Sequence, residues 1–308
     1  MSSQELEGAE IMAPGSIANI GPGLDTLAVS VQLYLRLRIA RVSPSERGAL
    51  HFHFGKVPLN GENRIATAFR KFARDQQDFP SLHLEVQSDI PMGSGLGSSA
   101  AATIAGFRLY ELLYGEQSCE SLLTAAAELE GHADNAAAAL LGGLAVCCQK
   151  QDGSVHAFSS PWPSSLEFIV LTPEVALSTE RSRKALPQSV LLKDAVANMQ
   201  RVLLLLQALQ SGDDSLLAEA LADRLYQPAR ESIVPGLNAA LSIEHPDLIG
   251  VFLSGSGPSI VALARERLAE IEELLARSYR PLGIPFRTSI LRVHNPSSTI
   301  VAPVLCTS

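Results

Sequence analysis

Between a predicted strand, Leu82–Val86, and an alanine-rich predicted helix, the chain reads Pro91-Met-Gly-Ser-Gly-Leu-Gly-Ser-Ser-Ala-Ala101. Three glycines fall within five of these residues, so the backbone can turn sharply and present its N–H groups to an anion without obstruction by Cβ atoms. The helix begins at Ser98 or Ser99, and its positive end faces the same point. The segment therefore predicts a loop that binds phosphate groups.

The common phosphate-binding motifs do not match this spacing. No Gly-Lys-Ser/Thr follows, as a P-loop requires, and the glycines are spaced G-x-G-x-G, whereas the dinucleotide fingerprint is G-x-G-x-x-G. The protein-kinase motifs and the G-x-S-x-G nucleophile elbow are also absent from the sequence. A tight turn without a ligand is therefore the alternative interpretation of residues 91–101.

A second glycine-rich run, Leu253-Ser-Gly-Ser-Gly-Pro258, lies between two predicted apolar strands, Gly250–Leu253 and Ile260–Leu263. By itself such a run is typical of a hairpin turn. If it folds against the first run, Gly255 and Gly257 form a second wall of the same phosphate site. Both interpretations stay open at the level of the residues alone.

The composition excludes several classes of protein. Of the 308 residues, 46 % are hydrophobic and 18 % are charged, which is typical of a globular chain with room for two hydrophobic cores. The formal net charge of −8 argues against nucleic acid as a partner. The longest apolar stretch, residues 136–148, contains Gly142 and Gly143 and is too short to span a bilayer, so the sequence predicts no membrane partner.

The N-terminus and the cysteines indicate the compartment. Residues 1–10 are polar and acidic and lack the basic and apolar segments of a signal peptide. The four cysteines, Cys119, Cys147, Cys148 and Cys306, show neither metal-ligand nor redox spacing. Both features predict a cytoplasmic protein that does not rely on disulfides as its main source of stability.

Hydrophobic periodicity and turn residues divide the chain into helices and strands. A helix from Ser98 is expected to end at Gly115, and another is expected to begin near Asp134, a residue type that favours the N-cap. Strands and helices are mixed without a regular βαβ alternation, which predicts an α+β fold. The other predicted elements are strands at 28–39, 168–171 and 286–291, and helices at 65–72, 121–130, 193–209, 216–225 and 264–278.

The domain boundary is expected in a loop predicted over Gln149–Ser165, where Pro161 and Pro163 interrupt the pattern. This segment predicts an N-terminal domain of residues 1–163, which carries the glycine-rich loop. A C-terminal domain of residues 164–308 follows.

The two glycine-rich runs are preceded by a third motif, Ala13-Pro-Gly-Ser-Ile-Ala-Asn-Ile-Gly-Pro-Gly-Leu-Asp25. Together they resemble the GHMP kinase superfamily and, within it, the homoserine kinases, whose first motif reads roughly A-P-A-T-S-A-N-L-G-P-G-F-D. Other branches carry a basic residue and a G-E-H run there, which this chain lacks. The resemblance spans about residues 11 to 292. Further matches are Asn63-Arg-Ile65, Glu130-Gly-His-Ala-Asp-Asn135, Ser178-Thr179, Arg183, Leu186-Pro187, Gln227-Pro-Ala-Arg230 and Pro235-Gly236.

The resemblance implies a two-domain GHMP kinase fold, with an N-terminal domain like domain 2 of ribosomal protein S5 and a ferredoxin-like C-terminal domain. It implies transfer of the γ-phosphate of ATP to the hydroxyl of L-homoserine, a reaction of threonine biosynthesis, with ATP and Mg²⁺ as cofactors. It also implies that Asn63 lies near the adenine. The residues implied to hold ATP are Pro91, Met92, Gly93, Ser94, Gly95, Leu96, Gly97, Ser98, Ser99, Ala100, Ala101, Gly255 and Gly257.

The chain departs from the family pattern at two positions and in the length of one segment. Ile17 stands where a serine is usual, and Ala133 stands where a proline is usual. The segment that carries the metal carboxylate is shorter than in some relatives, so Glu128 and Glu130 are both candidates. We favour Glu130, together with the hydroxyl of Ser99, as the Mg²⁺ ligands.

The resemblance also implies a substrate pocket for an amino acid with a hydroxyl group. Asp25 is expected to accept from the ammonium group, and Arg183 and Arg230 are expected to fork onto the carboxylate, as guanidinium groups can. Asn19 and Asn135 are expected to orient the hydroxyl or the phosphate. Weaker candidates for the pocket are His132 and Thr179. Asn135 and Arg183 are the expected catalytic residues, and no aspartate stands out as a general base.

Two rival functions stay open. A kinase of the same superfamily could act on another small alcohol, such as threonine or a pantoate-like acid. Asp25 and the two arginines favour a zwitterionic amino acid, but they do not separate homoserine from threonine. A non-catalytic ligand sensor is the alternative from another class. The sequence leaves the oligomeric state open, and a homodimer is compatible with it.

Overall fold

The computed structural model describes residues 3–55, 62–74, 76, 78–295 and 304–305. Strand β2 (Leu27–Arg47) is the longest strand of the described chain, and its sequence explains its place. Its first five residues are buried, and then inward apolar residues at Leu35, Leu37 and Ile39 alternate with the more exposed Arg36 and Arg38. Such a strand has one face against a core and one face toward water. It therefore forms the middle of the first sheet.

The first sheet has the strand order β11-β6-β5-β2-β4-β3, and β1 pairs with β2. The pairs are antiparallel except for β3 with β4, which is parallel. Since β1 carries the first motif and β4 leads into residues 91–101, the sheet brings these two segments together. The strands are β1 (Glu10–Ala18), β3 (Leu50–His53), β4 (Pro80–Ser88), β5 (Leu144–Gln149), β6 (Val155–Ser160) and β11 (Val304–Leu305).

Helix α3 (Ser98–Tyr114) lies at the centre of the helical layer. It is apolar over most of its surface, with Ile104 and Phe107 buried in the core. Gly106 lets α2 approach closely, because a Cβ atom there would lie 2.7 Å from that of Ala68. Burial on several sides fixes the start of α3 firmly. The other helices of this layer are α1 (Ser3–Leu6), α2 (Arg64–Ala73), α4 (Cys119–Glu130) and α5 (Asp134–Leu141).

The second sheet is antiparallel, with the strand order β10-β7-β9-β8. A separate core, with the large side chains Tyr226 and Tyr279 at its centre, lies between this sheet and its helices. The strands are β7 (Glu167–Pro173), β8 (Leu248–Leu253), β9 (Ile260–Ala264) and β10 (Phe286–Leu291). The helices of this half of the chain are α6 (Thr179–Lys184), α7 (Leu192–Ser211), α8 (Leu217–Ala220), α9 (Gln227–Arg230), α10 (Leu237–Leu241) and α11 (Leu268–Tyr279), with 3₁₀ turns at Asp214–Leu216 and Arg280–Leu282. Of these, α7 and α8 bury their apolar side chains in the first core rather than in the second.

The predicted α+β class is confirmed, and so are most of the predicted elements. Three expectations were wrong. Residues 149–165 are not all loop, because β6 forms within them and pairs with β5. The helix predicted over 216–225 ends at Ala220, since the Asp223 carboxylate accepts from the backbone N–H groups of Tyr226 and Gln227 and starts a new turn. Ala133, not Asp134, is the N-cap of α5.

After β10 the chain returns to the first sheet. The backbone N–H of Gln32 donates to the Arg292 carbonyl, and the Gly143 N–H donates to the His294 carbonyl, both at 2.9 Å.

The division into residues 1–163 and 164–308 stays a prediction. Residues 1 and 308, like Cys306, lie outside the described part of the chain. No helix in that part combines the length and apolar composition that a membrane span needs.

Candidate active site

The glycine-rich loop adopts the conformation that its residues require. Gly93, Gly95 and Gly97 have φ angles of 64°, 81° and 74°, in the left-handed region that side chains with a Cβ atom disfavour. The residues between them turn inward: Ser94 and Leu96 are both buried, and the Ser94 Oγ donates to the Pro91 carbonyl at 2.7 Å. Gly97 is the N-cap of α3, so the loop leads directly into the free N–H groups of that helix.

The second glycine-rich run packs against the first. The Ser254 Oγ donates to the Gly95 carbonyl at 2.7 Å, and the Ser259 N–H donates to the Ser94 carbonyl at 3.0 Å. Gly255 lines the cavity described next, whereas Gly257 lies behind it, against the Leu253 side chain. The run is thus more than a hairpin turn, because it forms a wall beside the loop.

A cavity of about 170 Å³ lies where the loop, the second run and the first motif meet. It collects side chains from parts of the chain that are far apart in sequence and that only the family resemblance connects. The predicted residues on its wall are Asn19, Asp25, Gly93, Gly95, Gly97, Ser98, Ser99, Ala100, Glu130, His132, Asn135, Thr179, Arg183, Arg230 and Gly255. By contrast, Ser94, Leu96 and Ala101 are buried, and Leu96 and Ala101 are part of the core.

The two candidate metal carboxylates lie in different surroundings. The side chain of Glu130 is 10 % exposed and lines the cavity, where its oxygens accept from the Ser99 Oγ at 2.7 and 2.8 Å. The Thr103 Oγ1 donates to the same carboxylate at 2.8 Å. Glu128 is 56 % exposed and pairs with Lys71 on the far side of α4. Only Glu130, of these two carboxylates, shares the cavity with Ser99.

Asp25 and Arg183 pair with each other rather than pointing separately into the cavity. Arg183 donates through Nη2 to Asp25 Oδ1 at 2.8 Å and through Nη1 to Oδ2 at 3.1 Å. This two-pronged geometry is the one that a guanidinium offers to any carboxylate. The fork predicted for the carboxylate of a substrate is therefore occupied by a carboxylate of the protein.

Arg230 is almost fully buried and contacts backbone carbonyls. Its Nε donates to the Ser182 carbonyl at 3.3 Å and its Nη1 to the Gly255 carbonyl at 2.8 Å, while the guanidinium lies 5.0 Å from the centre of the Tyr226 ring. Burial lowers the pKa of Arg230. The side chain thus connects α6 to the second glycine-rich run, in addition to lining the cavity.

The two predicted asparagines are fixed by hydrogen bonds to the protein. Asn19 has a φ of 73°, and its Nδ2 donates to the Gly255 carbonyl at 3.2 Å. The Asn135 Oδ1 accepts from the Ser16 Oγ at 2.8 Å. Because Ser16 fixes the oxygen end of that amide, the orientation of Asn135 is set. Ser16 was missed in the sequence, where it is one position of the first motif.

His132 and Asp134 form a hydrogen-bonded pair on the cavity wall. The His132 Nδ1 donates to Asp134 Oδ1 at 2.7 Å, and the backbone N–H of Asn135 donates to the same oxygen at 2.8 Å. Burial lowers the pKa of His132, but the Asp134 carboxylate outweighs it, so the pKa is raised. Asp134 was interpreted only as a helix cap, although it sits between two predicted site residues. Thr179 lies at the exposed edge, 3.4 Å from the Ser256 hydroxyl.

A second cavity, of about 600 Å³, lies on the other side of the loop and shares Ser98 and Ser99 with the first. Its wall is largely apolar, with Ile65, Val86 and Ile90 among its residues. Asn63 lies on this wall, but its Oδ1 accepts from the Ala66 N–H at 3.2 Å and caps α2. The predicted loop residues Pro91 and Met92 line this cavity as well.

The comparisons with known proteins agree with this geometry. Residues 63–143 match the family model of the GHMP kinases N terminal domain, and residues 205–280 match that of the GHMP kinases C terminal. The homoserine kinase of Solibacter usitatus is 35 % identical over 275 residues, which are 89 % of this chain and 90 % of the relative. That of Moorella thermoacetica is 34 % identical over 94 % of this chain and 99 % of the relative. The crystal structure of homoserine kinase from Cytophaga hutchinsonii superposes with a TM-score of 0.79, at 27 % identity and 97 % coverage of each chain.

A glycine-rich loop at a helix N-terminus, between an apolar cavity and a charged one, can hold a phosphate-bearing ligand beside a second small molecule, as a small-molecule kinase requires. The chain belongs to the GHMP kinase family, and its relatives place it among the homoserine kinases. It is an ATP-dependent kinase with an alcohol as acceptor.

Proposed function

We propose that this protein transfers the γ-phosphoryl group of Mg·ATP to the hydroxyl of L-homoserine at the loop formed by residues 91–101. The observation that carries the proposal is the position of Ser98 and Ser99. They belong to the walls of both cavities, at the start of α3. A nucleotide in the apolar cavity and a small polar substrate in the charged one would therefore meet at the N-terminus of that helix.

The nucleotide would lie with its base in the cavity of about 600 Å³ and its phosphates over Gly93–Ser99. The loop glycines leave its backbone accessible, and the 17-residue helix α3 directs its positive end at the phosphates. Asn63 supports this arrangement through its position, since it holds the first turn of α2 at the cavity wall. The apolar side chains there suit a flat aromatic base.

The Ser99 hydroxyl and the Glu130 carboxylate would hold the Mg²⁺ ion. Both offer the oxygen ligands that this ion prefers, and both lie on the wall that the phosphates would face. A bound Mg²⁺ would neutralise phosphate charge during transfer. Ligand atoms of Asp25, His132 and Asp134 also lie within 4.8 Å of one another. Asp25 is already paired with the Arg183 guanidinium at 2.8 Å and Asp134 with His132 at 2.7 Å, whereas Glu130 accepts from two hydroxyl groups and lies 4.0 Å from Arg64, so Ser99 and Glu130 are the better donors.

Homoserine would enter the charged cavity by exchanging partners with the Asp25–Arg183 pair. Its ammonium group would take the Asp25 carboxylate, and its carboxylate would take the guanidinium of Arg183. The exchange replaces one pair of opposite charges with two, so no charge is left without a partner. The buried guanidinium of Arg230, on the wall of the same cavity, would contact the carboxylate as well. A cavity of about 170 Å³ also limits the substrate to a small molecule.

Catalysis would rest on position and charge, with no strong base required. Asn135, held by Ser16, would orient the attacking hydroxyl or the transferred phosphate. Arg183 and the N–H groups of the loop would stabilise the charge that develops on the transferred group. His132 and Thr179 would complete the wall around the amino acid.

An ADP-release assay with purified protein tests the substrate directly. We expect homoserine-dependent release of ADP in the presence of Mg²⁺, and little release with threonine, mevalonate or galactose. Turnover of one of these alcohols, without turnover of homoserine, would contradict the substrate. Binding of homoserine without release of ADP would instead favour the sensor.

The Asp25–Arg183 pair gives a test of amino-acid recognition. Asp25→Asn should raise the KM for homoserine by about tenfold or more, because one partner of a charge-assisted contact is lost. The KM for 4-hydroxybutanoate, which lacks the amino group, should not rise, since this analogue never uses Asp25 and Arg183 is released from its pair. Saturation curves for both compounds measure this. Equal losses for the two would mean that Asp25 only shapes its turn.

A further inference from the structure

Arg64, the middle residue of Asn63-Arg-Ile65, lies on the wall of the apolar cavity, and the steps proposed above do not use its charge. It is the first residue of α2, directly after the N-cap Asn63. A cation at this end of a helix is unfavourable, because it faces the positive end of the helix dipole. Positions that break a local rule in this way are typical of functional sites.

Two carboxylates flank the guanidinium of Arg64 at distances longer than a hydrogen bond. Its Nε lies 4.0 Å from Glu130 Oε1, and its Nη1 lies 3.8 Å from Glu62 Oε2. The Glu130 carboxylate accepts its hydrogen bonds from the hydroxyl groups of Ser99 and Thr103 instead. The two ion pairs therefore attract the guanidinium without engaging its N–H groups, which can donate to another anion.

Arg64 lies at the boundary between the two cavities, on the side of the apolar one. It shares the wall of the apolar cavity with Ser98 and Ser99, whereas the described wall of the charged cavity does not include it. Glu130, 4.0 Å away, lines the charged cavity. Since Ser98 and Ser99 belong to both walls, the phosphates of a bound nucleotide would lie at this boundary. The guanidinium of Arg64 is thus placed beside them.

The glycine-rich loop does not supply a cation for the phosphates. Residues 91–101 contain neither lysine nor arginine, whereas a P-loop carries a lysine for this purpose. Of the described residues on the wall of the apolar cavity, Arg64 and Arg287 are the cationic ones. The side chain of Arg287 is 84 % exposed and pairs with Glu174, whereas that of Arg64 is 34 % exposed and lies beside Glu130. Arg64 is therefore the better placed of the two.

We propose that Arg64 binds the phosphate chain of the nucleotide and makes the site selective for nucleoside di- and triphosphates over the bare nucleoside. This inference rests on the proposed function, because it requires a nucleotide in the apolar cavity. A planar guanidinium can donate two parallel hydrogen bonds to phosphate oxygens. Once Glu130 holds a cation, the guanidinium is repelled from that side and attracted by the phosphates. Arg64 can therefore exchange the Glu130 carboxylate for a phosphate without losing an ionic partner.

The arginines of the site are divided between the two cavities. Arg183 and Arg230 line the charged cavity, and Arg64 lines the apolar one. Each substrate would thus have cations of its own for its anionic groups. Loss of the Arg64 charge should therefore raise the KM for ATP and leave the KM for homoserine nearly unchanged.

Calorimetric titration of the full chain with ATP, ADP and adenosine, without homoserine, tests this role by binding alone. Arg64→Gln should weaken ATP and ADP by about tenfold to a hundredfold, because charge-assisted hydrogen bonds to phosphate are lost. The affinity for adenosine should stay unchanged. Arg64→Lys should recover part of the loss, since it keeps the charge but not the planar fork. The matched control is Arg70→Gln, which removes an exposed arginine from the same helix and should bind all three ligands like the wild type.

Thermal unfolding shows whether the variants are folded, and Arg64→Gln should melt no lower than the wild type, because it removes an unfavourable cation from the start of α2. Unchanged binding of ATP by Arg64→Gln would overturn the proposal. So would equal losses for ATP and adenosine, which would mean that Arg64 only shapes the cavity wall, or a larger loss from Arg287→Gln. Wild-type protein that binds no adenine nucleotide would overturn the proposed function as well, so the two failures are distinguishable.

Discussion

Glu130→Gln should lower kcat by a factor on the order of 10² or more, because the carboxylate proposed to hold Mg²⁺ loses its charge. The glutamine keeps nearly the same volume and can still accept from Ser99 and Thr103, so the fold should persist. We expect the Mg²⁺ concentration for half-maximal rate to rise as well. Initial rates over a matrix of Mg²⁺ and ATP concentrations measure both effects.

The control is Glu128→Gln, two residues away on the same helix. That carboxylate is 56 % exposed and pairs with Lys71, and exposed pairs of this kind contribute at most about 1 kcal/mol. Its rate and Mg²⁺ dependence should match those of the wild type. The reverse ranking of the two variants would show that the metal carboxylate is Glu128, despite its distance from Ser99 in the fold.

Gly95→Ala should abolish most activity and lower the free energy of unfolding by about 3 kcal/mol or more. Its φ of 81° costs an alanine about 1–2 kcal/mol. In addition, the new Cβ would collide with the Ser254 carbonyl and lie 2.8 Å from the Gly257 carbonyl. These are backbone atoms, so the two glycine-rich runs would have to separate. Denaturant unfolding and ADP release measure the two losses.

The substitution Gly115→Ala is the control that distinguishes the cost of a positive φ from the cost of the steric clash at Gly95. Gly115 has a φ of 99° at the opposite end of α3, and nothing lies within 4 Å of the position that its Cβ would take. With a ψ of 163°, this position lies in a region that glycine populates almost alone, so the variant should lose about 1–3 kcal/mol of stability and keep its activity. Equal losses of activity from the two substitutions would mean that the contact between the two glycine-rich runs is not required for activity.

The sequence predicted the conformation of residues 91–101 well, because that conformation depends on residues close together in the chain. Three glycines, a following helix and a preceding strand lie within a few residues of one another. The positive φ angles and the start of α3 at Ser98 follow from those residues alone. The same holds for β10 and α7, whose alternation or periodicity reflects their own burial. The resemblance to a known family connected the distant motifs that local patterns could not.

The tertiary structure decided which side chains meet. The sequence leaves Glu128 and Glu130 both as candidates, with Glu130 favoured, and the packing of α4 beside α3 brings Glu130 to Ser99. Asp25 and Arg183 are 158 positions apart, so their pairing depends on how the second sheet is placed against the first. Burial along α7 is decided in the same way, since Leu205 is buried and Leu203 is exposed, and apolar periodicity alone does not tell which face of a helix is covered. Local conformation depends on neighbours in the chain, whereas contacts and burial depend on the whole fold.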